Sequence, residues 1–184
     1  MIKALAFIHK KQSLSYEEFQ IYYETQHSPL AKSLLTFEFY ERNYTDVAFS
    51  SAINALGSIS IFKYESEKSL EVVARQMGSS AGDILRKDEL NFMDVSLNFY
   101  VFTDSSENQG SIFQRKIFYL AKEKKDLQML ASQRGVEKIS DNLVSDHSEI
   151  IGIPEYGITQ QIKLEDLKII EKQFPNMIFT NSFS

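Results

Sequence analysis

The chain contains no cysteine. That removes disulfide frameworks, thiolate nucleophiles and cysteine-based metal or iron–sulfur sites at once. Proline and glycine are scarce, at 3 and 7 of 184 residues, which rules out fibrous and low-complexity architectures. No apolar run approaches the roughly 20 residues of a membrane-spanning helix. The opening M-I-K-A-L-A-F-I-H-K-K is apolar for too few residues, with its charges in the wrong places, to read as a secretory signal. A cytoplasmic location with no membrane partner is the expectation. The net charge is −5 without a basic stripe, so nucleic acid is not an expected partner. Nucleotide-binding glycine loops and the serine-hydrolase elbow are missing as well.

Histidine is rare, with only 3 in the chain, so the position of each is informative. His9 ends an apolar stretch beside Lys10 and Lys11, where a solvated place is expected. His147 lies in the polar stretch V-S-D-H-S-E-I. No two histidines have metal-ligand spacing, and no metal site is expected. His27 stands apart, in S-Y-E-E-F-Q-I-Y-Y-E-T-Q-H-S-P-L.

What is present is 43% hydrophobic residues in two series of alternating patterns. Ile2 to His9 reads as a strand that is apolar on both faces. Ser15 and Glu18 form a capping box, and Phe19, Tyr22, Tyr23 and Gln26 recur at helical spacing to about His27. Ser28-Pro29 should stop that helix and open a short segment to Leu35.

Strands are expected at Thr36–Tyr44, Ser58–Tyr64 and Val95–Thr103, with helices at Leu70–Met77 and Gly82–Met93. The order is β-α-β-β-α-β, the ferredoxin-like arrangement. The stretch Thr45 to Gly57 reads as a long loop, of the kind that often covers a site. Asp104 to Gly110, D-S-S-E-N-Q-G, reads as a linker.

The same order then recurs. Strands are expected at Gln114–Ala121, Gly135–Val144, Tyr156–Lys163 and Met177–Phe183, with helices at Lys125–Gln133 and Glu165–Phe174. The expectation is an α+β chain of two tandem ferredoxin-like repeats, 1–104 and 111–184, pressed into a pseudo-dimeric α/β barrel. The protein would then be a monomer, or a homodimer through an exposed sheet edge.

Three stretches carry a resemblance to a known family. S-Y-E-E-F-Q-I-Y-Y-E-T-Q-H-S-P-L, Y-E-R-N-Y and D-E-L-N-F-M-D are similar to motifs of the EthD-like family of the dimeric α/β barrel superfamily. The likeness covers about residues 1–104, and the second repeat lacks the His-Pro-Leu signature. It implies a barrel cleft holding a small, often aromatic molecule, and the residues in hand fit a cofactor-independent enzyme with lyase, isomerase or cyclase chemistry. Neighbouring superfamilies also include cofactor-free and haem-dependent oxidoreductases, and a lone histidine could hold a haem. A non-catalytic ligand-binding or assembly role is the alternative. Fold alone selects none of these.

Within that frame His27 is the candidate proton-transfer residue, since imidazole titrates near neutrality. A helix end would favour its protonated form and a general-acid role. The bland alternative is an imidazole tied to the helix-end carbonyls. Tyr23, one helical turn earlier, could donate to a substrate oxygen or orient the ring, or simply pack.

Tyr40, Arg42 and Tyr44 alternate on one strand face. If that face lines the barrel, the arginine could hold a carboxylate or enolate. Asn98 and Tyr100 share a polar strand face and are candidate cavity lining, as are Ser60, Phe62 and Tyr64. Asp88 and Asp94 read as capping residues.

Overall fold

The computed structural model describes residues 1–49, 55–104, 113–133, 135–144, 149–150, 152–159, 162, 164–173 and 177–183. The expected linker after Asp104, His147 and the Phe174-Pro175 helix stop lie outside these residues, as does part of the long loop after Thr45.

In chain order the first half forms β1 (Ile2–His9), α1 (Tyr16–Tyr22), a π-helical turn (Tyr23–His27), α2 (Ser28–Leu34), β2 (Phe39–Thr45) and β3 (Leu56–Tyr64). It continues with α3 (Glu67–Met77), α4 (Ser80–Glu89), a 3-10 turn (Val95–Leu97) and β4 (Phe99–Asp104). The second half forms β5 (Arg115–Tyr119), a 3-10 turn (Lys124–Gln128), β6 (Val136–Ser140) and β7 (Leu143–Val144). Strand β8 (Glu155–Ile158), α5 (Leu164–Gln173) and β9 (Met177–Phe183) complete it.

The strands form one antiparallel sheet ordered β6-β8-β5-β9-β2-β3-β1-β4-β7. Read along this order, each half places its second, third, first and fourth strands in the ferredoxin-like sequence, β6-β8-β5-β9 and then β2-β3-β1-β4. The seam is β2 against β9, with Arg42 opposite Phe183 and Thr45 opposite Thr180. At the two ends of the order, β6 and β7 are separated by only Asp141 and Asn142. One stretch of chain therefore pairs with β8 and then with β4, and the sheet curls until its ends meet.

Curling gives the sheet an inside and an outside. Leu5, Phe7, Ile59 and Ile61 from the first half meet Phe118 and Ile178 from the second inside. Also inside are four buried charges. Lys3 donates to Glu155 (2.7 Å), Lys116 donates to the other oxygen of Glu155 (2.8 Å), and Lys116 also reaches Glu41. Burial alone would raise the Glu155 carboxyl, but the two lysines hold it down to about 2. Asn43 bridges Glu41 and Ser182, extending this network across the seam. Such pairs are strongly destabilising to break once formed, because a partner is left charged and dry.

Capping chemistry sets the helices of the outer layer. Ser15 and Glu18 close their reciprocal box at the start of α1. Ser66 and Ser79 cap α3 and α4 with side-chain oxygens that accept from Ser69 and Ala81 N–H. Gly82 lets α4 lie against the end of α3, since a Cβ there would meet the Met77 carbonyl oxygen at 1.9 Å.

Several local expectations are corrected. Ser28-Pro29 does not stop the helix. Instead Ser28 N–H bonds to Tyr23 O, and the widened π turn passes straight into α2. Val95–Leu97 is a 3-10 turn, so Asn98 precedes β4 and does not share a strand face with Tyr100. Lys125–Gln133 is not an α-helix but holds a 3-10 turn, and Gly135–Val144 is divided at Asn142, whose φ is +45°. His9 is buried rather than solvated, at 8% exposure.

Candidate functional site

The outer face of the first half does not close on its helices. A cavity of about 280 Å³ remains between β1, β3 and β4 on one side and the π turn, α2, α3 and α4 on the other. Its floor is made of small residues, Ala4 and Ala6 on β1, with Ala31 opposite on α2. Phe37, Phe62, Met77 and Leu85 form the walls, and Tyr100 and Phe102, both largely exposed, border its open side. An apolar hollow with a few convergent polar groups is the usual form of a small-molecule site.

His27 reaches this cavity from the π turn. Its ring, 6% exposed, lies with centroids 5.0 Å from both Tyr23 and Phe92. Nδ1 is 2.8 Å from Asp88 Oδ2, and Tyr22 donates to Asp88 Oδ1 at 2.7 Å. With Asp88 on Nδ1, Nε2 is the nitrogen left for chemistry. Burial lowers the imidazole below its ordinary value, and Asp88 only partly offsets this. The expected helix-end bias toward the protonated form is absent, because the helix does not end there. A neutral ring with an oriented Nδ1–H is suited to accept a proton at Nε2.

Tyr23 and Tyr40 also line the cavity, but their hydroxyls are engaged with each other and with Ser60. Tyr40 donates to Tyr23 at 3.0 Å, and Tyr23 lies 3.0 Å from Ser60 Oγ. Burial pushes both phenols up, so both remain protonated. Tyr64 and Tyr100 lie on the same face, and burial pushes Tyr64 up to about 12.

Arg42 and Tyr44 share the Tyr40 face, which is covered by helices and does not face the barrel interior. They do not line the cavity. The Arg42 guanidinium grips Glu24 with two hydrogen bonds, 2.9 and 2.7 Å, and Tyr44 donates to the same carboxylate at 2.6 Å. Burial opposes the charge on Glu24, but these donors hold it below the usual carboxylate range. Asn98 lies off the cavity too, accepting the His9 N–H at 2.7 Å.

Two residues were not singled out as functional from sequence. Asp88, read as a cap, is the partner of His27. Glu89, beside it on α4, lines the cavity, where burial and neighbouring Asp88 raise its carboxyl pKa. Adjacent acids ending a helix after an apolar-periodic stretch were the available signal. Among the described residues no cluster could hold a metal ion, and no helix is long and apolar enough to cross a membrane.

Two sheet sets of ferredoxin-like order with a helix-covered cavity define an α+β barrel protein of the dimeric α/β barrel type. Residues 11–96 match the model of the EthD domain.

Among solved structures, an anthrone oxidase-like protein is similar over 100% of this chain and 91% of its own, at 7% identity and a TM-score of 0.55. A chlorite dismutase variant from Candidatus Nitrospira defluvii is similar over 100% and 90%, at 8% identity and a TM-score of 0.53. An EthD family protein from Bacillus halodurans covers 56% of this chain and 98% of its own, at 16% identity and a TM-score of 0.43. The full-length likenesses are of fold alone. No curated protein matches the chain.

Proposed function

We propose that the first half is a small-molecule enzyme that moves protons on an oxygenated, largely hydrophobic ring compound, as a lyase, isomerase or cyclase does. The observation that supports this reading is His27 held through Nδ1 by Asp88 while its ring borders the cavity. His27 takes a proton from the substrate at Nε2. Asp88 keeps the ring in the required tautomer and stabilises the imidazolium that forms. The aromatic walls exclude water and hold the ring compound, and the open side at Tyr100 is the entry. At roughly 30 Å³ per water-sized group, the cavity takes a one- or two-ring molecule.

The test is hydrogen–deuterium exchange at carbon. A panel of enolisable aryl ketones is incubated with the protein in D₂O and read by mass spectrometry. Exchange catalysed by the native chain is expected to fall by about 10²–10⁴-fold in His27→Gln. Its rate should rise with pH through a midpoint below the ordinary histidine value, because the neutral ring is the active form. Exchange that His27→Gln leaves unchanged for every member of the panel refutes the proposal.

A further inference from the structure

The walls of the cavity are as informative for the charge they lack. Among the described residues no lysine or arginine lines it. Arg42, the cation nearest in sequence to a lining residue on β2, is consumed by Glu24. Lys3 and Lys116 sit on the opposite face of the sheet, paired with Glu155 and Glu41. On α4, Arg86 points to Asp83 (2.8 Å) and to the Met77 carbonyl (2.9 Å). Among the described residues the one acidic or basic side chain besides His27 that lines it is a carboxyl. Glu89 enters from the end of α4, and among the described residues its carboxyl makes no hydrogen bond or close ion pair. A ligand carboxylate in this hollow would be stripped of water with no cation to meet it and a carboxyl beside it. Each of those conditions disfavours an anion.

We infer that the cavity selects an uncharged ring compound bearing a hydroxyl or keto oxygen and rejects the corresponding carboxylate, with Glu89 as the residue that sets this preference. The inference rests on the cavity being the substrate site and narrows what that site takes. The uncharged hydroxyl or enol is the form from which neutral His27 can take a proton. Glu89 is placed to accept a hydrogen bond from a second hydroxyl of the same molecule.

Naphthol and naphthoate separate the alternatives, since they share a ring system and differ in charge at about pH 8. Isothermal titration of the full chain is expected to show naphthol binding about tenfold or more tightly than naphthoate. Glu89→Gln removes the charge at constant size and should narrow that ratio, chiefly by strengthening naphthoate binding. Ala6→Ile, which fills the floor, should abolish binding of both. Naphthoate binding as tightly as naphthol, with Ala6→Ile still blocking both, overturns the inference and leaves the cavity reading intact. A ratio that Glu89→Gln does not change removes Glu89 from the role. Absence of binding by either probe, or binding that Ala6→Ile does not affect, overturns both the inference and the reading it rests on.

Discussion

The two halves place their strands in the same order, yet among the described residues the helix-facing side of one lines a cavity and that of the other carries a cluster of bulky buried side chains. On the first strand of each half the helix-facing side chains differ in size. β1 presents Ala4 and Ala6, whereas β5 presents Ile117 and Tyr119. Beside them the second half packs Tyr156 and Phe179, both fully buried, against Leu167 and Ile170 of α5. The same backbone order thus accommodates a cavity or a bulky buried cluster at these positions according to a few side-chain volumes.

That contrast can be broken at several points. The largest effect is expected where the halves depend on each other. Glu155→Ala removes the carboxylate that Lys3 and Lys116 share in the barrel interior and should cost about 3–5 kcal/mol in chemical denaturation, within a single transition. Next, Tyr156→Ala opens a void in the second half's buried cluster and should cost about 3–5 kcal/mol, whereas Phe62→Ala, which enlarges an existing hollow, should cost distinctly less. Equal penalties would mean that the hollow half is as tightly packed as its counterpart.

Milder effects follow from titration. The folded Glu155 carboxyl lies at about 2, below its unfolded value of 4.5. Its contribution is therefore complete above 4.5 and is lost as pH falls toward 2, which a series of melting curves in acid would display. The smallest change is electronic. Asp88 raises the His27 imidazole against the effect of burial, so Asp88→Asn should move the histidine midpoint further down in an NMR titration. An upward move would contradict the placement of Asp88.

Elements governed by local chemistry were legible in the sequence. The Ser15–Glu18 box, the alternation of Ile2–His9 and the order of strands are short-range patterns, and the repeat of that order carried the barrel. Pairings across the chain were not. His27 and Asp88 are 61 residues apart, and Arg42 is claimed by Glu24 on another element. The helix break at Pro29 failed for a physical reason. A π turn shifts the hydrogen-bond ladder, so proline's missing N–H and its clash with the preceding turn cost little there. Ala4 and Ala6 were read as apolar when their small size was the informative property.

The connection leaving β2 has a consequence for how the chain can be divided. Asp46 and Phe49 belong to the first half by sequence, yet Asp46 pairs with Arg115 at 3.0 Å and Phe49 lies among the second half's buried residues, 5.6 Å from Phe179. A fragment cut at the expected linker would carry away the plug and leave a greasy gap in the remainder. A dissection that respects these contacts keeps Asp46 and Phe49 together with the strands they pack on.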